Sequence, residues 1–303
     1  MRNFISEDDI EQAILQKLEG DPFQYGILRC DPSPDKRELL PDGTGRSSKK
    51  ECVLPLILRE ALARLNPDIP GEKLEEIARD LCRDFSATDM TATNYKYYNQ
   101  IRNGIKISLR RNGKEDFDFV KLVDFDRPEN NTFTAVSQMW IQGRVYWRRP
   151  DVLIFINGLP MVFVELKNSI VKVEEAYNDN LKNYLRDIPN LFALNQICVL
   201  SNGLETRLGA FNATYNHFFE WLKVDSEKER PDRQALKEAG TVGESSVRYF
   251  IDGLLQKGRL IDYIENFIMF RNQKNKIIAK NHQYFGVNNL MESVKNRAEL
   301  QGK

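Results

Sequence analysis

Two apolar runs, VLIFI at 152–156 and MVFV at 161–164, constrain the fold more than any other feature of this chain. Each is too short for an ordinary helix and is rich in the β-branched and aromatic residues that suit a strand. Neither alternates with polar residues, so both faces of each strand must be covered. Asn157 and Gly158 lie between them, and an Asn-Gly pair takes the left-handed conformations that a tight hairpin turn needs. The two runs therefore predict a buried antiparallel hairpin. A three-residue loop at 157–159 would set Ile156 against Pro160 and Asp151 directly opposite Glu165. Any other loop length shifts this pairing by one residue, unless a bulge restores it.

The rest of the chain supplies the cover. Ser6 followed by Glu7, Asp8 and Asp9 predicts a helix start, because acidic groups favour the positive end of the helix dipole. Ile10, Ile14, Leu15 and Leu18 continue it as an apolar stripe, and Gly20 ends it. Residues 31–50, rich in Pro, Gly and charge, predict a surface loop. GTGRSS within that loop lacks the spacing of a phosphate-binding P-loop. Helices are predicted over 51–65, 71–85 and 172–185. Strands are predicted in IKISL, DFVKLVDF, TFTAVSQMWI and NQICVLSNG, and at 206–211. This order predicts an α/β fold with a mixed central sheet flanked by helices. The polar segment 226–246 reads as a linker between a domain at 1–225 and a helical segment at 247–303, where GLLQKGRLIDYIENFIMF has a helical pattern.

The 44 basic and 44 acidic side chains cancel, so an anionic partner must be held by a local patch. Cys30, Cys52, Cys82 and Cys198 form no C-x-x-C pair, which argues against a thiol zinc site and a disulfide framework. The amino terminus, MRNFISEDDIEQ, lacks the apolar centre of a signal peptide. No apolar run approaches the roughly 20 residues that span a bilayer. These features predict an intracellular protein without a membrane partner.

Chemistry concentrates at the open end of the predicted hairpin. Glu165 and Lys167, two positions apart, project from one face of their strand, and Asp151 stands at the mouth of the other. Two carboxylates held close together repel, and a hard divalent cation such as Mg²⁺ relieves the repulsion. Such a metal polarises a phosphodiester and favours ionisation of water, while Lys167 orients that water or offsets charge on the phosphate. Solvated strand-end charges, with Lys167 bridging Glu165, are the alternative reading. Arg144, Arg148 and Arg149 immediately precede Asp151 and are placed to hold a phosphate backbone, with Lys182 as a further candidate. In NYKYYNQIRNGIKISLRRNGK, Lys96, Arg102, Lys106, Arg110, Arg111 and Lys114 either hold phosphates or line a solvated strand and turn.

P-D, thirteen residues, then E-L-K resembles the PD-(D/E)XK nuclease motif. The surrounding VDFDRPENNTFTAVSQMWIQG, RRPDVLIFINGLPMVFVELKNS and NYLRDIPNLFALNQICVLSNG resemble the R (restriction and motor) subunit of type I restriction–modification enzymes. That resemblance runs from the first helix to near residue 290. It implies a restriction-endonuclease-like fold and Mg²⁺-dependent cleavage of double-stranded DNA, with Mn²⁺ as a substitute ion. Asp151 and Glu165 would hold the metal and Lys167 would complete the catalytic set. Glu11, on the first helix, matches an accessory acidic residue. Asn180 and Tyr184 match a Q-x-x-x-Y motif, with Asn where Gln is usual, one methylene shorter. The carboxyl-terminal HQYFGV resembles the lead-in to the ATP-driven motor, with Gln283 as a candidate adenine contact. ATP would serve only the full-length subunit, so the chain is expected to be an amino-terminal portion. The resemblance further implies methyltransferase and specificity subunits as partners, a separate subunit reading the target, and a prokaryotic cytoplasmic location. Another nuclease of the same fold, for example in repair, and a non-catalytic docking domain are the alternatives.

Overall fold

The computed structural model describes residues 4–83, 89–111 and 114–301. The side chains of Arg111 and Lys114, and residues 84–85 of the segment expected to be helical, lie outside the described residues. The described chain forms a seven-stranded sheet whose strands lie side by side in chain order. They are β1 (Gly26–Arg29), β2 (Phe133–Ser137), β3 (Val152–Ile156), β4 (Leu159–Leu166), β5 (Ile197–Ser201), β6 (Thr206–Gly209) and β7 (Phe219–Glu220). The β1–β2 and β4–β5 pairs are parallel and the other four are antiparallel. The sheet is therefore mixed, as the order of elements predicts.

Both faces are covered. On one face, Val152, Ile154 and Ile156 share a core with Ile10, Ile14, Leu15 and Leu18 of α1 (Glu7–Glu19). Ser6 caps α1 by accepting from the Asp9 amide at 3.1 Å, while the Asp9 side chain accepts from the Ser6 amide at 2.9 Å. On the other face, Leu153, Phe155 and Phe163 pack with Tyr184, Leu191 and Phe192. The first of these helical residues lies in the run 173–187, whose middle, Ala176–Leu181, is a π-helical turn. The outer helices α2 (Pro55–Leu65) and α3 (Gly71–Cys82) begin and end inside the predicted limits.

The hairpin turn departs from the three-residue loop. Asn157 (φ +52°) and Gly158 (φ +80°) both lie in the left-handed region, which closes the loop in two residues. Ile156 consequently pairs with Leu159, not Pro160, and Phe155 pairs with Pro160. The register then shifts between Phe155 and Ile154, which pairs with Val162, leaving Met161 as an extra residue on β4. That bulge recovers the lost residue. A glycine is required at 158, because a Cβ there would sit 2.6 Å from the Leu54 carbonyl oxygen and 2.8 Å from the Leu58 nitrogen.

Other departures have local causes. NYKYYNQIRN is helical, within α4 (Met90–Asn103), whose Asn94, Tyr97, Tyr98 and Ile101 face inward at helical spacing. The helical pattern of the carboxyl-terminal segment stops at Asn266, and Ile268–Arg271 with Asn275–Ile278 forms a hairpin. The 31–50 loop is tied down by Asp42, which pairs with Arg46 and Lys49 at 2.7 Å each. Residues 246–278 contribute Val247, Phe250, Leu254, Leu260 and Ile268 to the same core as α1. Among the described residues no helix is long and apolar enough to cross a membrane.

Candidate active site at the hairpin mouth

Asp151 immediately precedes β3, Glu165 and Leu166 end β4, and Lys167 follows. Val152 pairs with Val164, so one more step of that register sets Asp151 opposite Glu165. Asp151 Oδ2 accepts from the Leu166 amide at 2.7 Å, which locks the carboxyl across the hairpin mouth. Glu165 is only 2% exposed. Its Oε1 lies 3.5 Å from Lys167 Nζ and also accepts from Asn180 Nδ2. Its Oε2 is buried without a hydrogen-bond partner. Lys167 Nζ further donates to the Leu166 carbonyl at 3.0 Å.

The helical run over the sheet completes the wall. Asn180 lies in the π-helical turn and reaches Glu165 despite its short side chain. The Tyr184 ring stands edge-on to Phe163 at 5.3 Å, and its hydroxyl donates to the Arg149 carbonyl at 3.0 Å. Glu11 is buried on the inward face of α1, not solvated. Gln138 joins the two sides: its Nε2 donates to Glu11 Oε2 and lies 3.4 Å from Asp151 Oδ1. The motif reading did not include Gln138. The signal in the sequence was a lone amide ending the apolar TFTAVS run, and the structure gives it a left-handed backbone (φ +57°).

Burial dominates the electrostatics. It pushes the Asp151 carboxyl up to about 6, against the opposing Leu166 N–H and Lys167 charge. Burial likewise raises Glu11 to about 6, with the Gln138 amide opposing and the Asp151 charge adding. Glu165 is driven well above the usual carboxyl range by burial and then by Asp151, with Lys167 opposing. Tyr184 is raised by burial and by the Glu165 and Asp151 charges. Among the described residues no three His, Cys, Asp or Glu side chains are grouped tightly enough to cage a metal by themselves. Two carboxyls, one of them with an unpaired buried oxygen, and a main-chain carbonyl are what the mouth offers. Oxygen donors of this kind suit a hard cation that keeps part of its water shell.

The flanking cations divide into held and exposed groups. Arg148 Nε donates to Asp187 Oδ2 at 2.7 Å, and Arg186 pairs with the same carboxylate at 2.7 Å. Arg149 donates to the Pro32 carbonyl and stacks 5.1 Å from the Trp140 ring. Arg144 and Lys182 are exposed, Lys182 bonding Asn178 Oδ1 at 2.7 Å. Gln283 is not gathered here. It caps the start of the helix Asn281–Gln301, accepting from the Lys280 amide at 2.8 Å.

A mixed sheet covered by helices, with two carboxyls and an amine at the mouth of its central hairpin, is a restriction-endonuclease-like arrangement. The family described as type I restriction enzyme R protein N terminus matches residues 4–217, and the chain belongs to that family. It is 31% identical over 297 residues to the type I restriction enzyme HindI endonuclease subunit of Haemophilus influenzae, covering 95% of this chain and 27% of that protein. It is 30% identical over 298 residues to a putative type I restriction enzyme endonuclease subunit, MjaIXP, of Methanocaldococcus jannaschii, covering 92% and 27%. A Staphylococcus aureus endonuclease subunit, SauCOLORF180P, shares 33% over 119 residues, or 38% and 13%. The chain thus spans about a quarter of the length of the first two relatives.

Proposed function

We propose that this chain carries the DNA-cleaving centre of a type I restriction enzyme R subunit, a Mg²⁺-dependent endonuclease in which Mn²⁺ can substitute. The observation that supports it most is Glu165, buried beside Asp151 with one carboxyl oxygen unpaired. A buried, unpartnered acceptor is costly, and a site for a cation gives that cost a purpose. Asp151 and Glu165 would hold the ion, with the Leu166 carbonyl as a neighbouring oxygen. When bound, the ion supplies positive charge that polarises a phosphate oxygen and favours ionisation of water.

The protein's own groups do the rest. Asn180 holds Glu165 Oε1, while Oε2 has no hydrogen-bond partner. The Leu166 amide and Gln138 orient Asp151. Lys167, anchored on Glu165 and the Leu166 carbonyl, presents its remaining proton to the attacking water or to the phosphate oxygen that gains charge. In the hydrolysis the water oxygen bonds to phosphorus and gives up a proton to solvent, a P–O ester bond breaks, and the departing oxygen takes up a proton from solvent. Arg144 and Lys182 are available to phosphates, whereas Arg148 and Arg149 hold the mouth in shape. Double-stranded DNA is the substrate of this reading, and methyltransferase and specificity subunits are its partners. Assay of plasmid nicking with Mn²⁺ tests it in the assembled enzyme. Glu165→Ala and Lys167→Ala should abolish nicking while leaving the circular-dichroism spectrum unchanged, and nicking retained by Glu165→Ala defeats the proposal.

A further inference from the structure

One buried cation has no part in the chemistry above. Lys276, on the carboxyl-terminal hairpin of Ile268–Arg271 and Asn275–Ile278, is 3% exposed. Its Nζ donates to Asn94 Oδ1 at 3.0 Å, the Asn195 carbonyl at 2.8 Å and Gln196 Oε1 at 2.7 Å. Three protons meet three acceptors, and none of those acceptors is a carboxylate. The aromatic rings of Phe270 and Phe211 lie 5.6 and 5.9 Å from the ammonium. Burial pushes the amine well below its ordinary range. Burying an ammonium group without a counter-charge is expensive, so the arrangement calls for a return beyond holding a hairpin. The hairpin has other anchors. Ile268 and Ile278 sit in the core, and the Tyr98 hydroxyl donates to the Ile268 carbonyl at 2.9 Å.

The groups that Lys276 holds lead to the bulge of the β3–β4 hairpin. The Gln196 main-chain N–H, in the same peptide unit as the Asn195 carbonyl, donates to the Met161 carbonyl at 2.7 Å, and Asn195 Nδ2 donates to the same oxygen at 3.2 Å. Met161 is the extra residue of the β4 bulge. Without that bulge the two-residue turn would leave Asp151 out of step with Glu165 by one residue, and a one-residue step moves a side chain to the opposite face of the sheet. We propose that Lys276 is a positioning residue for the cleavage centre: through Asn195 and Gln196 it secures the Met161 bulge, and the bulge sets Asp151 opposite Glu165. This inference rests on the nuclease reading for its consequence in catalysis. The structural linkage itself does not depend on that reading. It ties the carboxyl-terminal hairpin to the site, because the Lys276 amine on that hairpin orders the 195–196 corner.

The test uses the full chain, with Mn²⁺ as the probe, and compares Lys276→Met, Asn195→Ala and the exposed hairpin control Ile277→Ala. Lys276→Met keeps the length of the side chain but removes the charge. Asn195→Ala removes the side-chain bonds to the Met161 and Ile197 carbonyls and to the Cys198 thiol while leaving the main-chain acceptor of Lys276. Both should weaken Mn²⁺ binding by about tenfold or more, as the loss of groups that orient metal ligands does. Both should also speed hydrogen exchange of the Leu166 amide, which reports its bond to Asp151. Ile277→Ala should change neither. Unchanged Leu166 exchange in both variants overturns the linkage. If Lys276→Met does not fold, Asn195→Ala alone decides. Wild-type protein that binds no Mn²⁺ would refute the nuclease reading, and faster Leu166 exchange in the variants would still uphold the linkage.

Discussion

At the turn end of the β3–β4 hairpin, Asn157 is fully buried, and each polar atom of its amide is engaged. Its Oδ1 accepts from the Thr132 amide at 2.8 Å, and its Nδ2 donates to the Leu122 carbonyl at 2.9 Å and to Asn131 Oδ1 at 2.7 Å. At the open end, Glu165 is buried almost as deeply, yet Oε2 has no partner. The turn end is therefore built for stability, as buried amides generally are. At the open end the unpaired Glu165 oxygen lies beside a second buried carboxyl, Asp151, whose charge raises Glu165 further, and that pairing is what the proposed cation site rests on. Two ends of one ribbon thus differ in how completely their buried polar atoms are paired.

Breaking the turn end should have the largest effect. Gly158→Ala places a Cβ against the Leu54 oxygen and the Leu58 nitrogen at a left-handed φ, so we expect a loss of about 3 kcal/mol or more. Urea denaturation measures it, and a loss below about 1 kcal/mol would show that α2 yields readily. The open end should respond in the opposite sense. Glu165→Gln removes a group whose pKa is raised on folding by burial, so the metal-free variant should be more stable than wild type at pH 7.

The pH dependence sharpens the same contrast. A carboxyl whose pKa rises on folding contributes stability that is fully present below its unfolded value and is lost as pH climbs through its folded value. For Asp151 and Glu11 that window runs from their ordinary values of 3.8 and 4.5 to about 6, and for Glu165 it extends upward. Denaturation in the presence of a chelator should show wild-type stability falling across this range, and a shallower fall in Glu165→Gln. The smallest effect belongs to Arg144→Ala. Arg144 is exposed, so folding stability should stay within about 0.5 kcal/mol. The slope of DNA affinity against salt should drop by about one phosphate contact.

The hairpin was legible in the sequence because its signals are local: two apolar runs, an Asn-Gly pair and charges at the strand ends. The covered sheet and α1 followed from periodicity and a capping pattern. What sequence withheld was register. Met161 sits inside an unbroken apolar run, and nothing in its chemistry marks it as the residue that bulges. Gln138 and Lys276 were hidden for a related reason. An isolated Gln or Lys reads as surface until the fold closes buried acceptors around it, two carboxyls for Gln138 and three neutral oxygens for Lys276. The Tyr and Lys residues of α4 looked like a strand and turn because basic and aromatic residues fit both periods over a short span. Only the inward spacing of Asn94, Tyr97, Tyr98 and Ile101 separates them.

The central claim, that Asp151 and Glu165 share a divalent cation, is tested most directly by calorimetric titration of Mn²⁺ at pH 6 in buffers of differing ionisation enthalpy. Carboxyls raised by burial hold protons at that pH, and a cation must displace them. Binding should release on the order of one proton per ion, and both the binding and the release should be lost in Asp151→Asn and Glu165→Gln. Mn²⁺ binding that releases no protons, or that survives both substitutions, would contradict the account.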